Sequence, residues 1–175
     1  MTSRSPLRRA ISAATARAAL DLLLSTGVEV LGKEITVVGA SDIVGKPVAL
    51  MLLDLFGTVT VCHKYTVNLA VHTRRAEILL VAAGVPGLIR REMVRPGAIV
   101  VDVGINRVPV TDASGCPVLD ETGRAKARTV GDVEFEEVRE VASHLSPVPG
   151  GVGPVTVAVL LRNVVESARR QAGGR

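Results

Sequence analysis

Between Gly32 and the C-terminal helix, short runs of β-branched and aliphatic residues alternate with stretches that repeat at helical spacing. That alternation is the strongest constraint on the fold, because strands that follow one another through helices pair in parallel and bury both faces. The first strand reads as Glu34–Val38 and the second as Thr58–Cys62, with nearly continuous apolar runs at 77–82 and 98–103 as the third and fourth. Between the first two, Val44, Val48, Met51, Leu52 and Leu55 mark one helical face. Asp42 is placed to cap that helix, Pro47 falls in its first turn and Gly57 stops it. A short strand is expected near Thr129, a helix over 134–143, and a last helix with Val157, Leu160, Leu161, Val164 and Val165 on one face. The expected fold is therefore α/β, three layers, a mainly parallel sheet of four strands with helices on both faces.

The whole chain, 1–175, reads as one domain, a length at which roughly 70% of the unfolded surface is buried without a disulfide or metal. Residues 1–31 hold an N-terminal helix, in which Ala16, Ala19, Leu20 and Leu23 recur at helical spacing before Gly27. The core runs over 32–165. Residues 108–128, rich in Pro, Gly, Asp, Thr and Ser, read as a mobile surface loop, and 171–175 as a frayed tail. Met1 to Leu20 is basic and free of acids, so an organelle transit peptide stands beside the helix as a second reading of the start. A cytoplasmic, reducing compartment is expected, since Cys62 and Cys116 form neither a disulfide framework nor a Cys-x-x-Cys pair.

No apolar run approaches the ~18 residues of a membrane span. The 21 bases and 17 acids leave a charge of +4 with the cations scattered, and with no Trp, one Tyr and two Phe there is no stacking platform for nucleic acid. An anionic small molecule suits this distribution at least as well as a polymer.

The segment I-T-V-V-G-A-S-D-I-V-G-K-P, 35–47, takes a strand into a helix through Gly39. Such a junction binds diphosphate: glycine admits the backbone close to the ligand and the helix N-terminus favours an anion. A P-loop is excluded, because five residues separate Gly39 from Gly45 and Pro47 follows Lys46. Ser41 replaces the middle glycine of G-x-G-x-x-G, so this is either a variant dinucleotide loop or an ordinary tight turn. About twenty residues on, where an NAD enzyme carries an acid, this chain has His63 and Lys64. Lys64 attracts a 2′-phosphate, which favours NADP over NAD, unless it is only a solvated charge. Ala83, Gly84 and Val85, and Gly104 and Ile105, end the third and fourth strands at the same sheet edge; each group reads as a ligand wall or a tight turn. Asp102 reads equally as an acceptor behind the site and as a structural cap. The Pro/Gly corner at 146–154 leads into the last helix and is placed to close over a ligand.

Taken together and in order, V-V-G-A-S-D-I-V-G-K-P at 37–47, T-V-C-H-K-Y-T at 60–66, D-V-G-I-N-R at 102–107, V-G-D-V at 130–133 and S-P-V-P-G-G-V-G-P-V-T at 146–156 resemble the C-terminal NAD(P)-binding domain of bifunctional methylenetetrahydrofolate dehydrogenase/methenyltetrahydrofolate cyclohydrolases. The resemblance runs from about Thr15 to Val165 and implies a Rossmann-like fold, NADP as cofactor and oxidoreductase activity in one-carbon folate metabolism. It implies cofactor contacts at Gly39, Ala40, Ser41, Val44, Gly45, Pro47, His63, Lys64, Ala83, Gly84, Val85, Ile105, Gly153 and Thr156, and substrate contacts at Pro149, Gly150 and Gly151. The family's catalytic Tyr-x-x-x-Lys belongs to another domain. Here Tyr65 is followed four residues later by Leu69, so no catalytic residue and no cyclohydrolase activity are assigned.

The helix from Ala16 to Ser25 resembles the family's connecting helix with Ala in place of the usual Pro, which places the start of the chain near the domain junction. The expectation is a domain that binds NADP, is weak or inactive alone, and works with a separate folate-cleft domain or subunit, with a homodimer also implied. The alternative is a non-catalytic dinucleotide-binding remnant or sensor. No metal site is expected.

Overall fold

A computed structural model describes residues 13–173 except 113, 115, 120 and 122. Its centre is a sheet in which β1 (Glu34–Val38), β2 (Thr58–Cys62), β3 (Ile78–Val81), β4 (Ile99–Asp102) and β7 (His144–Leu145) all run parallel in the order β2-β1-β3-β4-β7. The first two strands have the boundaries expected from their β-branched runs.

Side chains alternate across the sheet, as the pleat requires, so each apolar run serves two cores. Ile35, Val37, Ile78, Leu80 and Val101 face one layer, formed by α1 (Ala14–Ser25), α2 (Gly45–Leu53) and α5 (Val152–Gly173). Val38, Leu79, Val81 and Val100 face the other, where Ile89, Val94, Val133 and Val138 complete the core beside α3 (Leu69–Thr73) and α4 (Phe135–Val138). The result is the expected three-layer α/β arrangement. In α1 the helical repeat holds, with Ala16, Ala19, Leu20 and Leu23 buried and Gly27 at φ +80° after its end.

Several local expectations are corrected by the structure. The sheet has five strands, not four: β7 is two residues long and forms on the free edge of β4, pairing Ile99 with His144 and Val100 with Leu145. That pairing shortens the expected 134–143 helix to α4, since Ser143 N–H already donates to the Ala98 carbonyl. The strand at Thr129 lies outside the sheet. As β6 (Ala127–Val130) it pairs antiparallel with β5 (Asn106–Pro109), and bridges at Thr111 with Pro117 and at Leu119 with Ala125 carry the pairing outward. The described residues on either side of this excursion thus pair as two strands.

Gly57 does not stop α2, which ends at Leu53; Phe56 takes the left-handed φ of +60°, and Gly57 is small because Ile35 and Val30 pack against it. The face expected to bury α5 is exposed. Val157, Leu160, Leu161, Val164 and Val165 are 49–65% accessible, whereas Val152 and Val159 are buried against α1 and the sheet. The helix is apolar on two sides and the rest of the described fold covers one. It continues through residue 173, and residues 174–175 lie outside the described residues. Most of the basic start that raised a transit peptide, residues 1–12, also lies outside them.

Candidate dinucleotide site at the sheet edge

The strand order dictates where a ligand sits. From β1 the chain crosses to β2 on one side, then returns to β3 on the other, leaving a crevice at the carboxyl end of β1. Gly39 occupies that point at φ +111°, its N–H donating to the Cys62 carbonyl at 2.9 Å. A Cβ there would collide with the Ala82 carbonyl oxygen, and one on Gly45 would collide with the Gly39 carbonyl oxygen. The two glycines therefore bring β1, the end of β3 and the start of α2 into backbone contact.

Ser41, not Asp42, caps α2. Its Oγ accepts the N–H groups of Val44 and Gly45 at 3.2 and 3.3 Å, while Asp42 turns outward to Lys46 at 2.6 Å, which holds its carboxyl below the usual range. Pro47 follows in the first turn of α2, as expected. Ala40 and Ser41 form the outer part of the loop with Asp42 and Ile43, and 41–43 are exposed.

At the end of β2, His63 and Lys64 are both exposed. The His63 ring braces its own turn, Nδ1 accepting the Tyr65 N–H at 3.2 Å. Lys64 Nζ lies 4.9 Å from the Tyr65 ring centroid and makes no ion pair among the described residues. Its charge is thus exposed at the end of β2.

Two strands away from Gly39 is a cavity of about 400 Å³. It gathers Gly104 and Ile105 from the end of β4, Pro149, Gly150 and Gly151 from the corner, and Gly153 and Thr156 from the start of α5. Ala83, Gly84 and Val85 stand between this cavity and Gly39, since β3 separates β1 from β4. The sequence-selected residues thus fall along one sheet edge in three groups: the β2 end, the Gly39 loop with the β3 turn, and the cavity. The structure does not merge them into one enclosed pocket.

Asp102, in the wall of the cavity, and Asp132 are both buried, 3% and 0% exposed. Asp102 accepts N–H groups from Gly104 and Asp132 on Oδ1, at 2.8 and 3.1 Å, and from Val133 on Oδ2 at 2.9 Å. Asp132 accepts Ala83 and Gly84 N–H on Oδ2, at 2.6 and 2.8 Å, and the Asn106 amide on Oδ1 at 2.7 Å. Asp132 was not among the residues selected from sequence. The signal for it was an acid directly after a glycine in V-G-D-V, at the end of a strand.

Burial, with a smaller push from the Asp132 charge, raises Asp102 from 3.8 to about 6 against the pull of its three N–H donors. Between about pH 4 and 6 the native state consequently binds more proton than the unfolded one, so this group stabilises most in acid and its contribution falls by about 3 kcal/mol as pH rises through that window. Comparing denaturant unfolding of the parent and Asp102→Asn from pH 4 to 7 isolates the slope. The parent's advantage over the variant is expected to shrink with rising pH; growth instead would mean that the N–H donors outweigh burial.

Residues 13–172 match the model of the tetrahydrofolate dehydrogenase/cyclohydrolase NAD(P)-binding domain. The chain belongs to this family. The bifunctional FolD protein of Rhodobacter capsulatus is 49% identical over 162 residues, covering 93% of this chain and 50% of that protein. Among solved structures, the FolD of Trypanosoma brucei, complexed with NADP and an inhibitor, superposes with a TM-score of 0.79 at 43% identity, covering 91% of this chain and 51% of that one. The Campylobacter jejuni FolD gives 0.77 at 45% identity, with 90% and 50% covered. The chain thus spans about half the length of the FolD relatives it matches, and the fold is that of their NAD(P)-binding domain.

Proposed function

We propose that this FolD-type domain binds NADP and serves the dehydrogenase reaction of one-carbon folate metabolism. The observation that carries the reading is the glycine-built crevice at the carboxyl end of β1, flanked on the β2 side by the exposed Lys64 and on the β3 and β4 side by small residues. Gly39, Ala40, Ser41, Val44, Gly45 and Pro47 would hold the diphosphate, and His63 and Lys64 the adenosine ribose and its 2′-phosphate. Ala83, Gly84, Val85, Ile105, Gly153 and Thr156 would line the remaining half, with Pro149, Gly150 and Gly151 toward the folate. The glycines at 84, 150 and 153 support this, because a Cβ on any of them would enter open space, leaving room above the backbone.

When bound, NADP accepts a hydride from the methylene carbon of 5,10-methylenetetrahydrofolate, which is oxidised to the methenyl level. The contribution of this chain is to hold and orient one partner, and rate in such a transfer depends on positioning both. The domain is accordingly weak or inactive by itself and works with a folate-cleft domain. The uncovered aliphatic stripe on α5 supports a further protein surface there, taken up by that domain or in a homodimer. Two free cysteines, one of them buried, fit a cytoplasmic location, and no described helix is long and apolar enough to cross a membrane.

Calorimetric titration with NADP and with NAD tests the assignment. NADP is expected to bind at least about tenfold more tightly, a difference of roughly 1.4 kcal/mol. Binding of neither would overturn it and leave a non-catalytic relic of the fold.

A further inference from the structure

The motifs D-V-G-I-N-R and V-G-D-V are two halves of one clasp. A Cβ on Gly131 would collide with Asp102 Oδ2, and a Cβ on Gly104 would collide with the Asp132 carboxylate. Each acid thus fills the space that the other motif's glycine leaves. Six N–H donors satisfy the pair, and Ser146 adds a strut by accepting the Asp102 N–H at 2.8 Å. One buried cluster therefore ties together the ends of β3, β4 and β6, the start of β5 and the Pro/Gly corner.

Its output is the placement of Ile105. The residue before it, Gly104, is gripped by Asp102, and the residue after it, Asn106, is gripped by Asp132. Between these two anchors Ile105 keeps 70% of its surface exposed at the wall of the cavity. Anchors on both sides fix the backbone at Ile105, and so the point from which its side chain leaves the chain toward the cavity. Asp132 also fixes the turn at 83–84 through two N–H groups. In the order β2-β1-β3-β4, a dinucleotide with its diphosphate at β1 and its adenosine at β2 lays its nicotinamide half over β3 and β4.

We propose that Asp132, backed by Asp102, is a positioning residue for the nicotinamide half of the cofactor: without touching the ligand, it sets the 83–84 turn and Ile105, and leaves the adenosine half unaffected. This rests on the dinucleotide reading above. The chemistry of the clasp supplies its own rescue. Asn106→Asp sets two carboxylates face to face where an amide donates at 2.7 Å. Adding Asp132→Asn restores complementarity, because the new amide oxygen can accept the 83 and 84 N–H groups while its NH₂ donates to the carboxylate at 106.

The probes are NADP and adenosine 2′,5′-bisphosphate, titrated calorimetrically into the full chain, with circular dichroism confirming the fold. Asn106→Asp is expected to weaken NADP about tenfold or more while the bisphosphate changes less than about twofold, and the double variant to return NADP to within about threefold of the parent. Should Asn106→Asp fail to fold, Asn106→Ala, which removes the donor without adding charge, is expected to give the same split. Equal losses for both probes, an unchanged NADP affinity, or a double variant no better than the single one would overturn the inference. If the parent binds neither probe, the dinucleotide reading falls first, and this inference with it.

Discussion

Gly39→Ala is expected to lower the melting temperature by about 10 °C and to abolish measurable NADP binding. The residue sits at φ +111°, where a side chain costs about 1–3 kcal/mol, and its Cβ would collide with the carbonyl of Ala82. That oxygen belongs to the backbone at the end of β3 and yields only if the strand moves, adding about 1–3 kcal/mol of overpacking. For a chain of this size each kcal/mol is worth about 2–4 °C. Binding fails for a separate reason: relief of the collision separates β1 from β3 at the crevice where the diphosphate is proposed to sit. Differential scanning calorimetry and an NADP titration of the same sample read the two effects. A variant that melts like the parent would contradict the close approach, and one that melts low but binds normally would remove this loop from the site.

Lys64→Glu separates the cofactors instead. The lysine is exposed at the end of β2, and reversing its charge beside a 2′-phosphate turns an attraction of about 1 kcal/mol at the dielectric of bulk water into an equal repulsion, about 2 kcal/mol in all or roughly a 30-fold loss for NADP. NAD has no phosphate there, so its affinity is expected to change less than about threefold. The loss for NADP should shrink as salt is raised, because an exposed pair is screened. Titrations at two salt concentrations check both statements, and equal losses for the two cofactors would move the 2′-phosphate away from Lys64.

Other regions show why local pattern reached some features and not others. β1 and β2 were legible to the residue because each is a β-branched run whose side chains are consumed by its own pleat. β7 was not, since His144 and Leu145 have no such pattern and become a strand only by pairing with β4. The arm at 106–130 likewise depends on partners such as Val108 and Arg128, distant in sequence and rich in turn-forming neighbours. For α5, periodicity revealed a real apolar stripe but could not say which of two stripes the sheet would take.

The sequence by itself determined the α/β class, the order of the parallel strands along the chain, the glycine junction at 39–45 and the family, because these depend on residue type and local period. Only the tertiary structure decided that Asp102 and Asp132 interlock through Gly104 and Gly131, and that Ile105 lies between their two anchors. Those outcomes depend on which backbone N–H groups converge on a buried oxygen, and convergence of segments some thirty residues apart is set by sheet geometry, not by the residues alone.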